Sequence, residues 1–130
     1  MDDVAMKEYL KISLLPMHTN MYGTIFGGVI MSYLDQAGAH CARDAFDNRF
    51  VTVHADGIRF LQPVNVGDLV TFRGRVVGSG TTSVMVDIAV DAERLDTREI
   101  VRVTEARLVY VAVGPAGGKT PLVPRADGAR

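Results

Sequence analysis

At 130 residues and 14.1 kDa, the chain has room for one domain with a moderate core and no more. A hydrophobic content of 48% excludes a disordered chain, and a formal net charge of -1 lacks the basic excess that nucleic-acid binding requires. The most apolar stretch is broken by Asp35, His40 and Arg43, short of the ~20 residues of a membrane span, and the acidic start M-D-D-V-A-M-K-E does not read as a secretory signal. With the single Cys41 unable to form an internal disulfide, the expectation is a cytoplasmic domain with no membrane partner.

In chain order, residues 7–15 alternate loosely and stop at Pro16, which predicts a short strand. Residues 17–26 read as a loop turning at Gly23. A helix is predicted over 28–46, with Ile30, Leu34, Ala37, Cys41 and Ala45 forming its apolar stripe. Ser32, Gln36, His40 and Arg43 fall on the far side, and Asp35 shares a flank with Met31, Ala42 and Phe46. That flank is apolar enough to suggest burial against a second subunit. Only strands follow: 51–61, 68–77, 82–91 and 99–113, with a hairpin turn at Gly78-Ser79-Gly80 and a charged turn over 91–98. Residues 114–130 hold much of the remaining Gly and Pro and read as a flexible tail after a 1–113 domain. The fold class is α+β: an antiparallel sheet of about five strands around one long central helix. One sheet covers one side of a helix, so burial alone points to a homodimer.

The chemistry gathers in residues 20–43. Glycines ahead of a helix admit close approach to the backbone, and the first helical N–H groups are unpaired at the positive end of the dipole. Gly27 and Gly28 therefore form a candidate receiver for a polarised carbonyl, and Asp35 is a lone carboxylate two turns further on. An oxyanion receiver with one carboxylate suits reaction at an acyl carbon. Asp35 acts either as general base toward water or as nucleophile forming an anhydride, and the sequence leaves both routes open.

The run N-x-x-G-x-I-F-G-G at 20–28, followed by L-D-Q-A-G at 34–38, resembles the hotdog-fold acyl-CoA thioesterases, and more narrowly the YciA-like and brain-type acyl-CoA hydrolases. F-L-Q-P-V at 60–64, V-G-D at 66–68, G-T-T-S-V at 80–84, T-E-A at 104–106 and Y-V-A-V at 110–113 extend it in matching order. The resemblance implies a hotdog fold with active sites between two subunits and dimers assembled further, into a tetramer or hexamer. It implies an acyl-CoA substrate, coenzyme A as product, and no cofactor. Asp35 takes the catalytic carboxylate's place, Asn20 that of a loop residue acting across the interface, and the Gly27-Gly28 backbone that of the carbonyl polariser. Phe26 stands where many relatives have His, and the YciA-like branch also carries Phe there. Thr81, Thr82 and Ser83 become candidates for contacting coenzyme A, as does Arg59, with Arg73, Arg75 and Arg107 as further candidates for its phosphates.

Other readings are a non-catalytic acyl-CoA-binding sensor, a dehydratase or hydratase on the same fold, and an interaction domain using only the dimer surface. The first leaves Asp35 without a purpose, the second needs a histidine that the helix-entry motif lacks, and the third explains none of the loop residues. His18, His40 and His54 lack metal-ligand spacing, and no nucleophile-elbow, Walker or dinucleotide fingerprint is present. Cys41 falls in the core stripe and reads as structural.

Overall fold

The computed structural model describes residues 5–126. Strand β1 spans Lys7–Ser13, helix α1 Gly27–Ala45, β2 Arg49–Phe60, β3 Leu69–Ser79, β4 Ser83–Glu93 and β5 Ile100–Val113, with a short 3-10 turn at Pro16–His18. The strands form one sheet in the order β1-β3-β4-β5-β2, every neighbouring pair antiparallel.

Period-2 alternation decides which face each strand buries. On β4, Val84, Val86, Ile88 and Val90 are fully buried toward α1, as their spacing predicts, and Phe72 and Val70 do the same on β3. The helix answers with Ile30, Leu34, Ala37, Gly38, Cys41 and Ala42. Of the predicted stripe, only Ala45 in the last turn is half-buried. Ser32, Gln36, His40 and Arg43 are exposed, as their helical phase requires.

The outer face of the sheet is polar and held by ion pairs. Arg73 meets Asp91 at 2.9 Å, Arg102 bridges Asp91 and Glu105 at 2.7 and 2.9 Å, and Arg107 makes a two-point contact with Asp87 at 2.7 and 3.1 Å. Asp87 is only 4% exposed, so its charge is tolerable because Arg107 covers it; the pairing and the charge beside it raise the Arg107 guanidinium's affinity for its proton.

Most element boundaries differ from the sequence reading by one or two residues, and two of the differences have local reasons. The helix begins one residue earlier, at Gly27, because Phe26 already supplies the extended cap geometry. The β3–β4 hairpin turns at 80–82 rather than at 78–80: a register shift between Val76 and Gly78 carries β3 on to Ser79, and Gly80 N–H closes the turn on Ser83 O at 2.9 Å.

Residues 114–126 run back along the end of the sheet. Leu122 N–H bonds Thr81 O at 2.9 Å, Val123 O accepts from Asp47 N–H at 2.6 Å, and Arg125 N–H reaches Ala45 O at 3.0 Å. Asn48 pairs with the same segment through Pro121 O at 3.2 Å and Val123 N–H at 2.8 Å. Residues 127–130, the end of the predicted tail, lie outside the described residues, as do 1–4.

Candidate active site

Asp35 sits mid-helix on the flank of α1 that faces β5 and the edge strand β2. Its Oδ1 accepts a hydrogen bond from Thr52 Oγ1 at 2.7 Å and lies 3.0 Å from Tyr110 Oη. The same hydroxyl is 2.8 Å from the main-chain oxygen of Asp35. Thr52 and Tyr110 are register partners on β2 and β5, so one rung of the sheet supplies both donors. Tyr110 is 1% exposed, and burial followed by the Asp35 charge and hydrogen bond pushes its phenol well above the ordinary value. It therefore stays protonated beside Asp35 and remains a donor. Oδ2 has no hydrogen-bond partner among the described residues. A half-buried carboxylate with one oxygen anchored and the other open is built to act through the open one.

The second cluster is at the start of α1. Asn20 ties residues 20–24 into a knot: Oδ1 accepts from Tyr22 N–H at 2.8 Å and Thr24 N–H at 3.3 Å, and Nδ2 donates to Thr24 Oγ1 at 3.0 Å. Ile25 N–H bonds Val64 O and Phe26 N–H bonds His18 O, both at 2.8 Å, which fixes the entry to the helix. No side chain caps α1, and the N–H groups of Gly27 and Gly28 have no partner among the described residues. The Phe26 ring, 57% exposed, lies over Gly28, where a Cβ would strike it. Phe60 covers Gly27, and beside it opens a pocket of about 280 Å³ lined by Ile25, Gly27, Ile30, Phe60, Leu61 and Pro63.

These clusters do not meet within one subunit. Gly27 and Asp35 are separated by about 12 Å along the helix axis. The sheet register agrees: Thr52 pairs with Tyr110 while Phe60 pairs with Thr104, rungs about 20 Å apart along β5. Asn20 is likewise placed with the glycines and not with Asp35.

The remaining predicted residues divide. Thr81 and Thr82 form the β3–β4 turn, with their carbonyls bonded to Leu122 N–H and Ala112 N–H at 2.9 and 2.8 Å. Ser83 pairs with Val111, one rung beyond Tyr110, and alternates with buried Val84, so it faces away from the helix. Arg59 stands on the outer face, 67% exposed, 3.6 Å from Glu105. Arg73 and Arg107 belong to the outer-face ion pairs, so none of these three arginines points toward the Asp35 side of the sheet. Thr52 and Tyr110 were missed as Asp35's anchors. Tyr110 falls inside a motif that the sequence singles out and Thr52 in the strand expected over 51–61, yet only the pairing of β2 with β5 brings them to the helix. Among the described residues, no group of three or more His, Cys, Asp or Glu gathers at a point that suits a metal ion, and no helix is long and apolar enough to cross a membrane.

An antiparallel five-stranded sheet around one long helix, with a carboxylate at mid-helix and free amides at the helix start, is the arrangement of a hotdog domain. Residues 22–98 match the Thioesterase superfamily, and the chain belongs to that family. It is 41% identical over 116 residues to the acyl-CoA thioester hydrolase YciA of Salmonella typhimurium, a match covering 87% of each chain. Among solved structures it is similar to the hexameric thioesterase y2039 of Yersinia pestis, at TM-score 0.86 and 38% identity over 91% of this chain and 96% of that one. It is also similar to Cj0915, a hexameric hotdog fold thioesterase of Campylobacter jejuni, at TM-score 0.84 and 40% identity over 88% and 89%.

Proposed function

We propose that this protein hydrolyses acyl-CoA thioesters to a free acid and coenzyme A, at sites made by two subunits. The observation that carries the reading is the open Oδ2 of Asp35, opposite an Oδ1 held by Thr52 and Tyr110. The naming of its relatives as acyl-CoA thioester hydrolases supports the substrate class.

The geometry of one subunit supports a composite site. Strand β2 is a sheet edge, and its Val51, Val53 and Phe60 are 44%, 54% and 52% exposed. An exposed apolar edge invites pairing with another chain. Antiparallel pairing of two β2 strands about a two-fold axis near Asp56 sets the Thr52 end of one beside the Phe60 end of the other. The Asp35 carboxylate of one subunit then faces the Gly27-Gly28 amides and Asn20 of its mate, which removes the separation found within a single chain. Dimers of this kind assemble further into a hexamer, the state named for several structural neighbours.

In this site the thioester carbonyl oxygen points at the Gly27 and Gly28 N–H groups, which stabilise the negative charge that develops there. Such a donor contributes about 3 kcal/mol to lowering the barrier. Oδ2 of Asp35 takes the proton of a water whose oxygen bonds to the acyl carbon, or itself adds to that carbon. The C–S bond then breaks: by the first route the water's proton passes to the leaving thiolate, and by the second the mixed anhydride left on Asp35 is cleaved by water, which frees the acid, restores the carboxylate and supplies that proton. Thr52 and Tyr110 hold the carboxylate in place. Phe26 and the pocket at Phe60 flank the acyl group, and Thr81 and Thr82 of the β3–β4 turn border the coenzyme arm, while Ser83 faces away from it. Arg59, paired to Glu105 on the outer face, has no role in this arrangement.

The test is thiol release from acyl-CoAs of graded chain length by wild type and Asp35→Asn. Asp35→Asn is expected to lose at least about 1,000-fold in kcat while keeping the oligomer and its Tm. Wild-type turnover in that variant sinks the reading. Silence of the wild type on every substrate, with coenzyme A still bound, favours the sensor.

A further inference from the structure

A pocket at the C-terminal end of α1, beside the polar side of the helix, is built from different chemistry. It measures about 570 Å³ and is lined by Ala39, His40 and Arg43 of α1 and by Asp47, Asn48, Arg49 and Phe50 of the turn into β2. Arg43 and Arg49 have no carboxylate partner among the described residues, whereas Arg59, Arg73, Arg94, Arg102, Arg107 and Arg125 each do. Asp44, the nearest acid on the helix, is already taken by Lys7 at 3.1 Å, Tyr9 at 2.8 Å and Arg125 at 3.7 Å. Asp47 is the one acid lining the pocket, so two guanidiniums leave it net positive before His40 is counted. The pocket is also framed: Asn48 is fixed from both ends of its amide by Pro121 and Val123, which sets where the adjoining Arg49 begins.

We propose that Arg43 and Arg49 form the subsite for the phosphate groups at the nucleotide end of the thioester substrate. The inference rests on the thioesterase reading of Asp35 and extends it to the part of the substrate that does not react. Arg43 follows Asp35 by about 12 Å along α1, and Arg49 precedes Thr52 by about 10 Å along β2. Both guanidiniums thus stand well away from the reacting carbon on the same side of the sheet. The extended pantetheine arm of coenzyme A leaves its phosphates at such a remove from the sulfur. Arginine's planar fork suits two-point contact with phosphate oxygens, and a paired, outward-facing arginine cannot offer that contact without giving up its carboxylate. This is why the free pair is assigned the role and the outer-face arginines are not.

The experiment compares an acyl-CoA with the corresponding acyl-pantetheine, which carries the same thioester and arm without phosphates. Wild type, Arg43→Gln, Arg49→Gln and the double variant are assayed as the full chain, alongside calorimetric binding of adenosine 3′,5′-bisphosphate. The ratio of kcat/KM for acyl-CoA over acyl-pantetheine is expected to fall about tenfold for each arginine removed, the equivalent of about 1.4 kcal/mol. The loss appears in KM, the bisphosphate binds correspondingly more weakly, and Arg43→Lys recovers part of the ratio. Wild-type bisphosphate affinity falls as salt rises, a readout that needs no variant to fold. An unchanged ratio in the double variant, or equal losses on both substrates, overturns the assignment. If the wild type hydrolyses neither thioester, the enzymatic reading of Asp35 fails instead. The bisphosphate titration then decides the subsite alone: weaker binding in the double variant upholds it, and unchanged binding overturns it.

Discussion

Tyr110 Oη lies 3.0 Å from Oδ1 of Asp35 and 2.8 Å from the same residue's main-chain oxygen. A hydroxyl has one proton to give, so it is shared between a side-chain and a backbone acceptor of one residue. This fixes both where the helix sits against β5 and which way the carboxylate turns. Tyr110→Phe keeps the ring and loses the proton. Loss of about 1 kcal/mol of stability is expected from the missing bond. We predict a fall in kcat of about tenfold, from a carboxylate held by Thr52 alone. Thr52→Val is expected to act similarly on kcat with less effect on stability, because Thr52 is exposed and Tyr110 is not. Steady-state kinetics with thermal melts on the two single variants and the double variant checks both; additive losses in the double show that the donors act independently.

Gly38 is where the helix comes closest to that tyrosine. A Cβ built at Gly38 meets the Tyr110 hydroxyl and ring, and Leu108 beside them. In an exposed helix, Gly→Ala gains about 1 kcal/mol from propensity. Here overpacking against a buried ring, typically about 1–3 kcal/mol, opposes it. Gly38→Ala is therefore predicted to lower Tm and to lower kcat as Tyr110 is displaced. A Tm equal to or above wild type would show that the ring moves freely, against a tight contact between Gly38 and Tyr110.

The contrast between Gly38 and Tyr110 marks how far the sequence could be read. Helical phase was enough to put Ile30, Leu34, Ala37 and Cys41 in the core, and strand alternation did the same for Val84, Val86, Ile88 and Val90, because each is a local property. The family motifs pointed to Asp35 and to the Gly27-Gly28 helix start. What held Asp35 was not readable: Tyr110 lies 75 residues away and Thr52 reaches it only through β2 pairing with β5. The partners of the arginines were unreadable for a related reason. Alternation put Arg73 and Arg75 on a polar face, but their charge drew attention to phosphates, when Asp91 was placed to pair with Arg73 from the next strand. Arg43 falls on the polar side of the helix and Arg49 in the turn that follows, and only the path of that turn into β2 brings them to one pocket.

Asp68 presents a test of how the acyl-side pocket is held. It is 1% exposed, accepts the Asn65 N–H at 2.8 Å and pairs with Arg94, whose guanidinium also donates to Pro63 O at 3.0 Å. A buried charge that loses its partner is left uncompensated, which costs about 3–5 kcal/mol. Arg94→Met is accordingly predicted to destabilise by about that amount, more than any outer-face arginine. Because Pro63 lines the pocket beside Gly27, the same variant should alter chain-length preference among acyl-CoAs. Asp68→Asn removes the charge together with its need for a partner and is expected to cost less. Urea melts of the two variants decide the order, and the reverse order would contradict the pairing argument.

Cys41 offers a clean probe of the core. It is 2% exposed, and burial, aided by the Asp44 charge, pushes its thiol from 9.0 to about 11 against the opposing hydrogen bond from Tyr9 and charge of Lys7. Two outcomes follow. A thiol reagent at pH 8 should find no reactive cysteine in the native protein and one per chain in denaturant, so released coenzyme A can be read without background. The second concerns stability. A raised folded value means that the fold holds the proton more tightly than the unfolded chain does, so the contribution is complete below pH 9 and is lost as pH climbs toward 11. Tyr9 and Tyr110, both raised by burial above an ordinary 10.0, add to the loss from pH 10 upward. Tm is therefore predicted to fall between pH 9 and 10 chiefly through Cys41, and more steeply above pH 10 through the tyrosines. Cys41→Ala should start from a lower Tm because of the cavity it leaves, yet decline less between pH 9 and 10. Parallel declines in the two proteins would show that the thiol is not the group that titrates.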